Sequence, residues 1–204
     1  MRRIDPGEAA PADLYRLMIG IIVPRPIAFV STVDAAGIRN LAPFSYFTGC
    51  STNPPVVCFC AAVRPGPRPQ KDTLENIRAT GEFVVNIVSE EMAEQMNACS
   101  AEVSPEVDEF ALSGLTPMAS ELVKPPRVAE SRVQMECRLR QVIAVSDKPG
   151  GGNLVLGDVL RFHVLETVLR DGYKIDPDEL RAIGRMGGPT YVRTRDRFEM
   201  QRPK

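Results

Sequence analysis

Lys71, Asp72 and Thr73 stand together where a helix is expected to begin. A lysine, a hydroxyl and the free N–H groups of a helix start suit a phosphate group. The competing reading is a plain capped helix with Lys71 solvated. In that case Asp72 holds the amides, and only Lys71 and the Thr73 hydroxyl are left for an anion. A second cluster is Ser31-Thr32 followed by Asn40-Leu41-Ala42-Pro43-Phe44-Ser45. Small side chains let a ligand approach the backbone, and Ser, Thr and Asn offer both donors and acceptors. The same residues suit a solvent-facing strand end and a turn, so on chemistry alone both readings stand.

Other chemistries are narrowed by what the sequence lacks. His163 is the one histidine of the chain, which removes metal sites built on two or more histidines. It has no marked Ser or Cys partner for a triad, so a structural or ligand-proximal role is expected. There is no GxGxxG after a strand, no GxxxxGK[ST] and no GxSxG. The five cysteines, Cys50, Cys58, Cys60, Cys99 and Cys137, are odd in number and contain no CxxC. They read as buried free thiols of a reducing compartment.

The chain has 204 residues, enough for one ordinary domain, and 25 basic against 26 acidic side chains give a formal charge of −1. Such a balance supplies no global field for nucleic acid or an anionic membrane. The apolar patch Leu17 to Val23 runs into Pro24-Arg25-Pro26, far short of the ~20 apolar residues that span a bilayer. A soluble, cytoplasmic protein is expected.

Several elements must position these residues. Pro26 to Asp34 reads as a strand closed by the turn signal Asp34-Ala35-Ala36-Gly37, and Ile38 to Pro43 is its hairpin partner. Val56 to Val63 is apolar on both faces and reads as a buried strand, with Cys58 and Cys60 on one face as core residues. Arg64 to Pro69 is loop. Asp72 with Glu75 predicts a capping box, and Gly81 ends that helix. Glu82 to Val88 is a strand. Glu90 to Cys99 is a short helix with Met92, Met96 and Cys99 on one face. Val103 to Pro126 reads as a surface excursion.

Val133 to Val145 alternates as a half-exposed strand, with Val133, Met135, Cys137, Leu139 and Ile143 inward and Gln134, Glu136, Arg138 and Arg140 outward. Leu154 to Leu165 returns, carrying Val159, Arg161 and His163 on one face. A short helix, Asp178 to Ile183, precedes a glycine cluster and a charged tail of about residues 194–204. Strands joined mostly by hairpins, with few helices, predict a mainly β antiparallel barrel rather than a parallel βαβ sheet, in a single domain over 1–204.

The string RPIAFVSTVDAAGIRNLAPFSYF (Arg25 to Phe47) resembles the opening of the flavin reductase-like, FMN-binding split-barrel family. The likeness continues in PPVVCFC, in Lys71 to Val88, in Leu154 to Val164 and in Ile183 to Arg193. The resemblance implies a split β-barrel, a homodimer and FMN at the dimer interface, with NAD(P)H as reductant. It places Arg25, Ser31, Thr32, Asn40, Ala42, Pro43, Phe44 and Ser45 along the flavin and Lys71 and Thr73 on its phosphate. Arg185 and Tyr191 come near a flavin, across the interface of a paired barrel. His163 then stands as a nicotinamide-site residue. The activity implied is an NAD(P)H-dependent flavin reductase passing hydride to flavin N5, with a partner oxygenase or electron-transfer protein. Alternatives are a flavoredoxin-type electron carrier and a non-catalytic FMN-binding protein.

Overall fold

The computed structural model describes residues 1–203. Helix α1 (Pro11–Ile21) leads into the hairpin β1 (Ala28–Val33) and β2 (Arg39–Phe44), then β3 (Phe47–Thr52) and β4 (Pro55–Ala62). Helix α2 (Asp72–Thr80) and β5 (Glu82–Ile87) follow, then α3 (Ala93–Ala98) and α4 (Glu109–Ser113). Short β6 (Pro117–Met118) and β7 (Arg127–Val128) precede the long pair β8 (Val133–Ala144) and β9 (Gly152–Val164). The chain ends in the pairs β10 (Leu169–Arg170) with β11 (Lys174–Ile175) and β12 (Ile183–Arg185) with β13 (Tyr191–Arg193), separated by α5 (Pro177–Leu180).

Seven strands form one sheet in the order β2-β1-β5-β8-β9-β4-β3, every pairing antiparallel. The mainly β, antiparallel expectation holds. The sheet curls until Phe44 of β2 meets Phe59 of β4, with ring centroids 4.8 Å apart. Phe83 of β5 approaches Phe59 edge-on at 5.7 Å. Leu74 and Ile77 of α2 bury into the same core and close one end. A second core lies outside the sheet, where Phe29 and Leu41 pack against Met92, Met96, Cys99 and Phe110. The expected Met92–Met96–Cys99 stripe is thus the buried face of α3 and the turn before it.

Several expectations need correction. Helix α1 goes unread, because its apolar residues show too short a run to give a period. Helix α2 starts at Asp72 with Lys71 as N-cap, in extended geometry (ψ 141°), and no side chain caps it. Asp72 pairs instead with Arg68, so no capping box forms. Gly81 does end the helix, at φ 72°. Helix α5 stops at Leu180, and Ile183 belongs to β12. Cys60 is only half-buried.

The largest departures come from two β-bulges. Between β8 and β9 the register slips at Glu136/Cys137 and again at Leu139/Gln141. The first slip leaves Leu160 of β9 unpaired and the second Arg140 of β8, and each reverses the faces beyond it on the strand that carries the extra residue. Ile143 is therefore exposed, while Val142 packs on the core. Val159 faces the core, whereas Arg161 and His163 pair across from Glu136 and Gln134.

Gln134 and Glu136, expected in solvent, are buried beneath the segment 117–128. That segment is held to the outer sheet face by side chains that bond to its backbone. Lys124 N–H donates to Glu82 (2.9 Å), Val128 N–H to Asn86 (2.9 Å), and Glu121 and Leu122 N–H to Glu136 (2.9 and 2.6 Å). Gln134 donates to the Val128 carbonyl, 3.1 Å away. The expected surface excursion is a strap over a polar sheet face.

Burial raises the Glu136 pKa, but the two amides and His163 more than offset it, holding the carboxyl below the usual range. A lowered carboxyl pKa contributes stability that is present above the unfolded value and is lost as pH falls through the folded one. Glu136→Gln should therefore cost about 1–3 kcal/mol of unfolding free energy at neutral pH. The deficit against wild type should shrink as pH drops below ~4. Thermal melts over pH 3–7 check this, and a deficit independent of pH would contradict it.

Candidate functional site

The end of the barrel closed by α2 carries a small cavity of about 70 Å³. Asn40, Ala42, Pro43 and Phe44 of β2 form one wall, and Lys71, Asp72 and Thr73 of the α2 start form another. Arg64, the residues Cys99–Val103 and Glu109 complete it. A neighbouring cavity of about 270 Å³ shares Pro43 and Ser100 and is lined further by Arg25, Ser45, Asn97, Arg185 and Tyr191. Ten of the predicted residues thus line two adjoining spaces. Ser31, Thr32 and His163 line neither.

Those three have other tasks. Ser31 is fully buried and donates to the Pro126 carbonyl of the strap. Thr32, on the opposite face of β1, accepts from Asn76 Nδ2 at 3.0 Å and lies 3.2 Å from Asn40 Oδ1. His163 Nε2 lies 2.6 Å from Glu136, and its Nδ1 lies 3.9 Å from Glu121, which also pairs with Arg161.

The smaller cavity is shaped by a buried relay. Asn40 Nδ2 and the Leu41 amide donate to the two oxygens of Glu109, at 2.9 and 3.0 Å. Asn40 Oδ1 accepts from Thr73 Oγ1 at 2.7 Å. The Thr73 proton is therefore directed at Asn40 and is not free for an anion. Burial pushes the Glu109 carboxyl up, partly offset by these hydrogen bonds.

Two cations stand here without an ion-pair partner, with the carboxylates of Glu102 and Asp72 acting on Lys71 only from a distance. Arg64 Nε is buried with no hydrogen-bond partner, although another of its nitrogens donates to the Gln70 carbonyl. Lys71 has its pKa lowered by burial and then by the neighbouring Arg64 charge. Among the described residues neither forms an ion pair. Two positive groups are gathered at an uncapped helix start, one with an orphaned buried donor, which is the donor set an anion would need. Because Asp72 binds Arg68, it does not compete for the first amides.

The larger cavity has a different character. Arg25 is buried, and its donors go to the carbonyls of Ile19 (2.6 Å), Ile22 (2.6 Å) and Met186 (2.9 Å). It joins the end of α1 to the β12 segment and builds the wall rather than offering donors. Arg185 lies over the Tyr191 ring at 4.4 Å and donates to its hydroxyl and to the Gly188 carbonyl (2.7 Å). Both line a cavity of their own chain. Ile19, Ile27 and Met96 supply the apolar part of its lining.

Arg64 and Glu109 escape the sequence reading. Arg64 lies in a Pro/Gly-rich loop, yet it follows a buried strand directly and precedes Lys71 by one tight loop. Glu109 lies between Asp108, whose side chain caps α4, and Gly114 at its C-terminus (φ 73°), a helix signature within the supposed excursion.

The family model for a flavin reductase like domain matches residues 20–182. The chain belongs to the flavin reductase-like family. Family likeness extends to solved structures. Nitrilotriacetate monooxygenase component B from Bacillus cereus superposes with a TM-score of 0.92 at 36% identity, over 98% of both chains. The 2-nitrobenzoate 2-nitroreductase NbaA of Pseudomonas fluorescens gives 0.89 at 29% identity, over 99% of this chain and 96% of that one. A split-barrel-domain protein from Shewanella frigidimarina NCIMB 400 gives 0.85 at 21% identity over the whole of both chains, which shows the fold. The fold is the split barrel of this family. No described helix is long and apolar enough to cross a membrane.

Inorganic phosphate should stabilise the protein by mass action, by about 2.7 kcal/mol at a hundred times its dissociation constant. Lys71→Met keeps the apolar stem and removes the charge, so it should abolish most of that gain. Melting curves with and without phosphate read the difference. An equal gain in the variant would place the anion elsewhere.

Proposed function

We propose that this chain binds FMN and works as an NAD(P)H-dependent flavin reductase. The observation that carries the reading is the pair Arg64 and Lys71, the first with an orphaned buried N–H and neither in an ion pair. A phosphate monoester supplies the charge this pair lacks and an acceptor for the orphaned Arg64 N–H. The adjoining larger cavity, with a mixed lining of Ile19, Ile27 and Met96 beside Ser45 and Asn97 and with its Arg185–Tyr191 side, receives the isoalloxazine. The residues fit the group, from the phosphate end at α2 to the ring end at β12.

When bound, FMN supplies hydride acceptance at N5 from a reduced nicotinamide. The chain's own residues bind and orient. Arg64 and Lys71 hold the anionic end. The Glu109–Asn40–Thr73 relay fixes β2, whose Ala42–Phe44 backbone runs between the two cavities. Arg185 holds positive charge beside the ring cavity, where it favours an anionic reduced partner. No side chain acts as a nucleophile in this scheme. The Bacillus cereus relative is named as a component of a monooxygenase, which supports a role here in supplying reduced flavin to an oxygenase.

We also infer a homodimer, on grounds that differ from the sequence reading. The outward residues Val56 and Cys58 of β4 are already covered within the chain. Helix α1 instead exposes Tyr15, Leu17, Met18 and Ile21, followed by Ile22 and Val23. Tyr15 also lines the ring cavity, so a two-fold partner on this face lies beside the flavin.

Arg64→Ala and Lys71→Ala should each weaken FMN by about 1.5–3 kcal/mol while leaving riboflavin nearly unchanged. Thr73→Val should weaken FMN less than either. Fluorescence titration with both ligands checks the order, and equal losses for FMN and riboflavin would remove the phosphate assignment. Anaerobic bleaching of the FMN complex by NADH or NADPH tests the activity, and a flavin that stays oxidised with both would rule out the reductase. Sedimentation should give a dimer that Ile21→Asp dissociates; a wild-type monomer would contradict the interface.

A further inference from the structure

Cys50, Cys58 and Cys60 gather on the outer side of β3 and β4. In β4, Val57, Phe59 and Ala61 point into the core, so Cys58 and Cys60 point outward. Thr48 pairs with Cys58 and Gly49 with Val57, and the register then slips so that Ser51 faces Val56. Cys50 is the extra residue of this bulge, set on the outward face next to Cys58. Cys50 is thus the diagonal cross-strand neighbour of Cys58, and it acts on the Cys58 thiol. Cys50 is exposed on the edge strand of the sheet, and Cys58 is buried behind it.

We propose that Cys50 and Cys58 form a peroxide-oxidised disulfide site, with Cys50 as the thiol that meets the oxidant and Cys58 as the one that resolves it. The Cys50 sulfur attacks hydrogen peroxide. An S–O bond forms, the O–O bond breaks and water leaves, so Cys50 becomes a sulfenic acid. The Cys58 sulfur then attacks the Cys50 sulfur. The S–S bond forms, the S–O bond breaks, and hydroxide departs as water with the Cys58 proton. Two thiols and one peroxide give one disulfide and two waters.

The remaining thiols do not share this arrangement. Burial pushes Cys99 up to about 11 and raises Cys137 further, and both are shut in the cores. Burial, and then Cys50 itself, push Cys58 up to about 11, which leaves the peroxide step to the exposed partner. Cys60 is half-buried, with a thiol also raised by burial.

The test is peptide mapping of the reduced, full-length protein after one equivalent of hydrogen peroxide and alkylation. One tryptic peptide carries all three cysteines. It should be lighter by two hydrogens, with fragment ions placing the link between Cys50 and Cys58 and the alkyl group on Cys60. In Cys58→Ser, Cys50 should stop at the sulfenic acid and be trapped by dimedone. Five alkylated thiols after peroxide would overturn the proposal. So would a Cys50–Cys60 link, a disulfide between two protomers, or wild-type Cys50 oxidised without a link.

Discussion

Glu109 is the carboxylate on which the geometry of the site depends. It is buried, and its two oxygens take the Asn40 side-chain amide and the Leu41 backbone N–H. Asn40 in turn takes the Thr73 hydroxyl, so α4, β2 and α2 are bound into one unit. Each buried group in this relay is satisfied by the next, and removing one member leaves the others unpaired at about 1–3 kcal/mol each. The relay also determines what is left for a ligand. It occupies Asn40 and the Thr73 proton, and it leaves Arg64 and Lys71 as neighbours that form no ion pair, although the carboxylates of Glu102 and Asp72 lie near enough to Lys71 to offset part of the Arg64 charge.

That imbalance stands out against the rest of the molecule. Glu90 draws Arg181, Arg193 and Arg195, Glu121 draws Arg161, and Asp158 draws Arg140. Arg25, though buried, has its guanidinium engaged by three carbonyls. An arginine nitrogen buried without a partner is therefore a local exception. A bound anion would offset the physical cost of holding it there.

Most of the sheet is legible in the sequence, because β1, β4 and β5 are largely apolar runs and β2 follows β1 across a turn signal. The candidate site is legible chiefly where it lies on β2 or at the start of α2, as with Asn40 to Phe44 and Lys71. Ser31 and Thr32 have the chemistry of ligand residues, but their hydroxyls serve Pro126 and Asn40–Asn76. Composition cannot tell a polar residue that binds a strap from one that binds a ligand. Gln134, Glu136 and His163 fail for the same reason, since alternation reports two faces but not that a loop covers one of them. The bulges at Glu136/Cys137 and Leu139/Gln141 leave no residue signature, and each reverses the faces beyond it. Arg64 and Glu109 act from segments that carry no period, and only the fold brings them to the cavity.

The central claim is that the anionic end of FMN lies between Arg64 and Lys71. A crystal structure of the FMN complex tests it most directly. The account predicts the phosphate within hydrogen-bond distance of Arg64 Nε and Lys71 Nζ at the start of α2, with the ring beside Arg185 and Tyr191. A phosphate bound elsewhere, with Arg64 Nε still lacking a partner, would contradict it.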